Sequence, residues 1–172
     1  MVLRTRLRRV AYGVYYLMTP RLRRRLVRLA LARYTVGAVA LVRDAEQPGR
    51  LLLLRQPRSA GWGLPAGLLQ RGERPVDGCA RELAEETGLQ LSVAEFTAAV
   101  PNAVVHTRGA WVDMVFETSV AGSTAVFHAD GAEVIEVAWH RLDSLPPLAP
   151  GSARLLAHYG IGPLADFPEV RS

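Results

Sequence analysis

Apolar residues recur at spacings of three and four near the start of the chain. Leu3, Leu7, Val10, Val14, Leu17 and Met18 form one stripe, with Arg4, Arg8 and Arg9 largely off it, the pattern of an amphipathic helix. Thr19 and Pro20 then supply an N-cap residue and a first-turn proline, and predict a second helix in which Leu22, Leu26, Leu29 and Arg33 share a face. From Tyr34 the period changes. Two short apolar runs, Thr35–Val42 and Arg50–Gln56, flank a turn-rich Asp44–Gly49 and read as strands. Arg58–Gly67 is a Gly/Pro-rich loop, and a helix is predicted from Pro75 to Thr87 with Gly88 as its stop. Strand-like stretches follow at Leu91–Val100, Val104–His106, Trp111–Val120, Ala125–His128 and Val134–His140, and Ser152–Tyr159 reads as a last helix. Strands on both sides of a central helix imply an α+β or layered αβα domain with a mixed sheet over residues 34–172, preceded by a helical arm over residues 1–33.

Charge divides the chain at the same place. Residues 1–33 carry ten Arg and no acidic residue, which is +10; the remaining eleven Arg against sixteen Asp and Glu make the body −5, for a net +5. With 172 residues, 49% of them hydrophobic and 22% charged, the chain has the composition of one globular domain and not of a disordered polymer. The lone Cys79 excludes an internal disulfide and a Cys-rich metal site, and no apolar run approaches the 18 residues of a spanning helix. Met1–Arg9 and Val10–Met18 resemble the first two regions of a signal peptide, but Thr19, Pro20 and five Arg stand where a cleavage site belongs, so a cytoplasmic protein is expected.

The chemistry concentrates in the predicted helix. Glu82, Glu85 and Glu86 lie at i, i+3 and i+4 and project from one side, opposite a stripe of Val76, Ala80, Leu83 and Thr87. Glu82 and Glu86 repel at a cost of roughly 0.2–0.5 kcal/mol. Glu85 and Glu86 also stand at the negative end of the helix dipole, at roughly 0.3–1 kcal/mol each. Alone, three Glu would read as a solvated face with Arg81–Glu85 pairing. A bound divalent cation removes both penalties, and a few hard carboxylate oxygens suit Mg²⁺ that also shares phosphate oxygens.

Gly67, five residues, Glu73, seven residues and then Arg81-Glu82-Leu83-Ala84-Glu85-Glu86-Thr87-Gly88-Leu89 meet every fixed position of G-x5-E-x7-R-E-U-x-E-E-x-G-U, with U aliphatic. On these residues the chain resembles the Nudix hydrolases (MutT-like), with the basic arm lying outside the likeness. The resemblance implies a Nudix-type αβα sandwich and attack of water on a phosphorus of a nucleoside diphosphate linked to another group. It implies Mg²⁺, or Mn²⁺ in its place, held by Glu82, Glu85 and Glu86, with Glu82 also at the position often assigned to the base. Glu86 joins Glu82 in the expected catalytic set, and Glu73 and Arg81 match a pair that braces the loop against the helix. Glu133 is the candidate for a further carboxylate from a distant loop, and the Ala66 carbonyl for a backbone ligand. Four residues depart from common usage without touching a fixed position: Ala66 for Gly, Gln70 for an acid, Arg74 for a capping Ser or Thr, and Gly78 inside the helix at about 1 kcal/mol relative to Ala.

Arg55, Arg58 and Trp62 precede the box and are candidates to clamp phosphate or stack on a base; Arg108 and Trp111 are weaker ones. The four His show no zinc-type spacing and are read as structural or surface residues, and Cys79 as core. Nucleoside triphosphates rank first as substrate, ahead of ADP-ribose and nucleotide sugars. The competing reading is a Nudix-fold nucleotide-binding or regulatory module with little hydrolysis. For the arm, packing on the body or in a homodimer is expected first, peripheral membrane contact next and nucleic acid last.

Overall fold

A computed structural model describes residues 12, 13, 15–30, 33–106, 110–129 and 131–167. The chain divides into two compact units, Met1–Tyr34 and Thr35–Ser172. In the first, residues 12, 13 and 15–17 are helical; the rest of the expected first helix, from Leu3 to Val10 and at Val14, lies outside the described residues. Helix α1 spans Pro20–Ala30, and the Arg23 N–H donates to the Thr19 carbonyl at 3.0 Å, so Thr19 and Pro20 open it as their types predict.

The second unit is built on a seven-stranded mixed sheet. β1 (Thr35–Asp44) runs parallel to β6 (Trp111–Val120) and antiparallel to β2 (Arg50–Arg55). β5 (Thr97–His106) extends the β6 side, and β7 (Glu136–Arg141) and the short β3 (Trp62–Gly63) pair with β2. The short β4 (Ala66–Leu68) pairs with β1, Ala38 opposite Gly67. β1 and β2 are buried on both faces, which is why they read as continuous apolar runs and not as alternation. One face packs Val39, Leu41, Leu53 and Val115 under helix α3 (Pro150–Ala157) through Leu155 and Leu156. The other packs Ala38, Ala40, Leu52 and Phe116 under helix α2 (Pro75–Thr87) through Cys79 and Leu83. The result is the expected α+β sandwich.

Three local expectations change. Leu91–Val100 is not one strand: Val93–Glu95 forms a 3-10 turn closed by a capping box between Ser92 and Glu95, and β5 begins at Thr97. β5 then continues through Pro101 to His106, which an edge strand tolerates because its outer N–H groups need no partner. Ala125–His128 joins no sheet; its Ala125 and Phe127 pack over the α2 face of the core, and the His128 N–H donates to the Thr87 carbonyl at 2.9 Å, satisfying the end of α2. The Gly/Pro-rich loop also holds more order than its composition implies, since β3 and β4 lie in and just after it.

Candidate active site

Helix α2 is set by its ends. Pro75 occupies the first turn, and Gly88 takes φ +79° in the left-handed region, where its N–H caps the Ala84 carbonyl. Arg74 caps nothing with its side chain and pairs instead with Asp77 on the exposed first turn. Between these ends the helix presents Leu83, Cys79 and Thr87 to the core, with Val76 and Ala80 half-buried.

The three carboxylates do not share one environment. Glu85 is mostly exposed, Glu82 is largely covered, and Glu86 is buried at 8% exposure. Glu86 turns into the loop before the helix, where Oε2 accepts the Ala66 N–H at 2.8 Å and Oε1 accepts from Gln56 Nε2 at 3.5 Å. Burial pushes its carboxyl up to about 7; the Ala66 N–H works the other way, and the charges of Glu82, Glu133 and Glu85 add to the rise. Glu133, from the loop before β7, is therefore close enough to act on Glu86. Gln56, the residue after β2, was no candidate from the sequence. The packing of β2 under α2 brings it to Glu86, and no sequence signal distinguishes it from any strand-end polar residue.

Arg81 organises the rest. Its Nε and Nη2 donate to the two oxygens of Glu73 at 2.9 and 3.1 Å, and Nη2 also reaches the Leu68 carbonyl at 3.0 Å. Its Nη1 reaches Glu82 at 2.6 Å and Glu85 at 3.1 Å. Glu73 in turn accepts the Gln70 N–H at 2.8 Å, and Arg81 hydrogen bonding holds its carboxyl below the ordinary range. One guanidinium thus ties loop, helix and β4 together. At two glycines an added side chain would meet the ends of neighbouring side chains, which would have to move. A Cβ on Gly67 would lie 1.9 Å from the Glu82 carboxylate carbon, and one on Gly78 would lie 2.5 Å from Leu69 Cδ2 and 3.0 Å from Glu73 Oε2. Among the described residues no three acidic, His or Cys side chains close around one point, because Arg81 engages Glu82 and Glu85 while Glu86 faces Ala66.

The other candidates are dispersed. Arg55 is half-exposed and pairs at 3.9 Å with Glu136; Arg58 is exposed in the turn that follows. Trp62 packs on the α3-side core and against the His140 ring, centroids 4.2 Å apart. Arg108 lies outside the described residues. Trp111 and His106 both bond Asp113, the His at 2.9 Å. This cluster stands over Gly37, whose missing Cβ would be 2.8 Å from Asp113 Oδ1 and 3.3 Å from the Gly67 carbonyl. His106 is thus tied to a carboxylate beside the loop, a neighbourhood set by the β5–β6 register and invisible in linear spacing.

The structure is thus a helix–sheet–helix sandwich in which one arginine braces a carboxylate-bearing loop and helix. A profile of the NUDIX domain matches residues 33–159. A MutT-like protein of Streptomyces ambofaciens is 37% identical over 130 residues, 73% of this chain and 76% of its own length. A putative 8-oxo-dGTP diphosphatase of Bacillus subtilis (strain 168) is 31% identical over 115 residues, 66% of this chain and 70% of its own. The crystal structure of a MutT NUDIX hydrolase from Burkholderia pseudomallei superposes with a TM-score of 0.57 at 27% identity, covering 70% of this chain and 93% of that one. The chain belongs to the Nudix family and is a hydrolase of phosphoric anhydride bonds.

Proposed function

We propose that this enzyme is a Mg²⁺-dependent pyrophosphohydrolase of nucleoside triphosphates, with residues 34–172 as the catalytic domain and residues 1–33 as a separate arm. The observation that carries the reading is the Glu86 carboxyl, buried against the Ala66 N–H at 2.8 Å while the charges of Glu82, Glu85 and Glu133 act on it. Hard oxygen donors crowded by like charge fit Mg²⁺, or Mn²⁺, because a cation relieves the repulsion that burial magnifies. Glu82, Glu85, Glu86 and Glu133 would hold it, with the Ala66 carbonyl as a backbone ligand. When bound, it would neutralise phosphate oxygens and act as the Lewis acid of the reaction.

The chain's own residues do the remaining work. Glu82, fixed by Arg81, is assigned to accept the proton of the attacking water, with Glu86 as the alternative acceptor. Glu73 and Arg81 keep the carboxylates in position. Arg55 and Arg58 are assigned to the phosphates and Trp62 to the base or ribose. The triphosphate is favoured over ADP-ribose and nucleotide sugars by the B. subtilis relative, a putative 8-oxo-dGTP diphosphatase. A cytoplasmic setting supplies both nucleotide and Mg²⁺.

The test incubates the full chain and Mg²⁺ with nucleoside triphosphates, ADP-ribose, nucleotide sugars, dinucleoside polyphosphates and capped RNA. Fastest turnover of a triphosphate, abolished by EDTA, is the expected result. Faster turnover of another substrate would overturn the substrate assignment. No turnover beside tight metal-independent binding would replace the enzyme by a nucleotide-binding module.

A further inference from the structure

The arm presents two surfaces at once. Helix α1 reads PRLRRRLVRLA and has no acidic residue. At about 100° per residue, Arg21, Arg24 and Arg25 fall on one side and Leu22 and Leu26 on the other. Leu22 is 46% exposed and Leu26 39%, and just before them Leu17 is 88% and Tyr16 70% exposed. An open groove of about 610 Å³ is lined by Tyr15, Pro20, Arg23, Arg24 and Val27, with the Arg23 guanidinium over the Tyr15 ring at 5.7 Å. No carboxylate on α1 offsets the Arg21–Arg25 repulsion at i,i+4.

We infer that this arm docks the enzyme on an anionic lipid surface, with α1 lying in the interface. Phosphate headgroups would neutralise the arginines, one of them seated in the groove between Arg23 and Arg24, while Leu22, Leu26 and Leu17 leave water for the acyl boundary. Tyr15 and Tyr16 are residues of the kind that sit at that boundary. Nucleic acid satisfies the arginines and leaves the leucines in water. A leucine-mediated dimer buries the stripe and leaves the cations uncompensated. An anionic bilayer satisfies both surfaces of one helix.

The full chain is sedimented with phosphatidylcholine vesicles and with vesicles containing about 30 mol% phosphatidylglycerol. The expected result is co-pelleting with the anionic vesicles, roughly tenfold or more stronger than with neutral ones and weakened by high salt. Leu22→Ser with Leu26→Ser should lower vesicle affinity roughly tenfold at unchanged net charge, with nucleotide turnover unchanged as proof of folding. Arg24→Gln with Arg25→Gln, which leaves eight of the arm's ten Arg, should weaken binding to the anionic vesicles roughly tenfold or more. Failure to pellet with anionic vesicles overturns the inference. So does pelleting indifferent to the leucines, whether beside tighter binding of single-stranded RNA or beside a solution dimer that the leucine variant dissociates.

Discussion

Replacing Glu86 by Gln should make the enzyme inactive and more stable, both for one reason. The carboxyl is buried at 8% exposure and its proton leaves at about 7, against 4.5 in an exposed chain. Between those values the folded protein binds more protons than the unfolded one, so stability falls as pH rises from about 4.5 to about 7 and is level above. About 2.5 units at 1.36 kcal/mol each amount to about 3 kcal/mol lost by pH 8. Gln is nearly isosteric and uncharged: its carbonyl keeps the Ala66 N–H, and the Gln56 amide can turn over to accept from it. Glu86→Gln should therefore match the parent near pH 4 and exceed it at pH 8 by up to about 3 kcal/mol, roughly 6–12 °C in Tm for a chain of this size. Urea denaturation of both proteins in EDTA at the two pH values reads the difference, and turnover with Mg²⁺ reads the loss of function. A variant less stable at pH 8, or a gap independent of pH, would refute burial and like charge as the cause of the shift.

Gly67→Ala would drive a Cβ into the Glu82 carboxylate; it should cost roughly 1–3 kcal/mol by overpacking and most of the turnover, with an unchanged circular dichroism spectrum. Arg81→Lys should behave nearly like Arg81→Ala in turnover and in Mg²⁺ affinity, because one ammonium cannot span Glu73, Glu82, Glu85 and the Leu68 carbonyl; rescue by Lys would show that charge alone suffices. Gly78→Ala, a gain of about 1 kcal/mol by helix propensity, should instead lower the denaturation midpoint, since Leu69 and Glu73 occupy the space. Glu133→Gln should raise the Mg²⁺ concentration for half-maximal rate while sparing the fold; an unchanged metal titration would remove Glu133 from the ligand set.

Much of the domain was legible because its signals are local. Pro75 and Gly88 bound α2, the apolar runs marked β1 and β2, and nine matched positions from Gly67 to Leu89 named the chemistry before any contact was known. The Arg81–Glu85 pairing also followed from spacing, and the Glu73–Arg81 pairing from the family resemblance. What spacing could not supply was the split among the helix carboxylates: periodicity put Glu82, Glu85 and Glu86 on one anionic face, and the turn of the loop through β4 buried one of them. Gly78 looked like a flaw in the helix until Leu69 and Glu73 proved to lie across it. Ala125–His128 had a strand's composition and became a cover for α2, since pairing needs a free neighbour and His128 found the Thr87 carbonyl instead. The His106–Asp113–Trp111 cluster comes together only through strand pairing, and Gln56 meets Glu86 only through the packing of the sheet on α2. The sequence by itself thus determined which groups are present, where the helix begins and ends, and which reaction they suit. The tertiary structure decided which carboxylate loses its water, because desolvation depends on what packs against a side chain from distant parts of the chain.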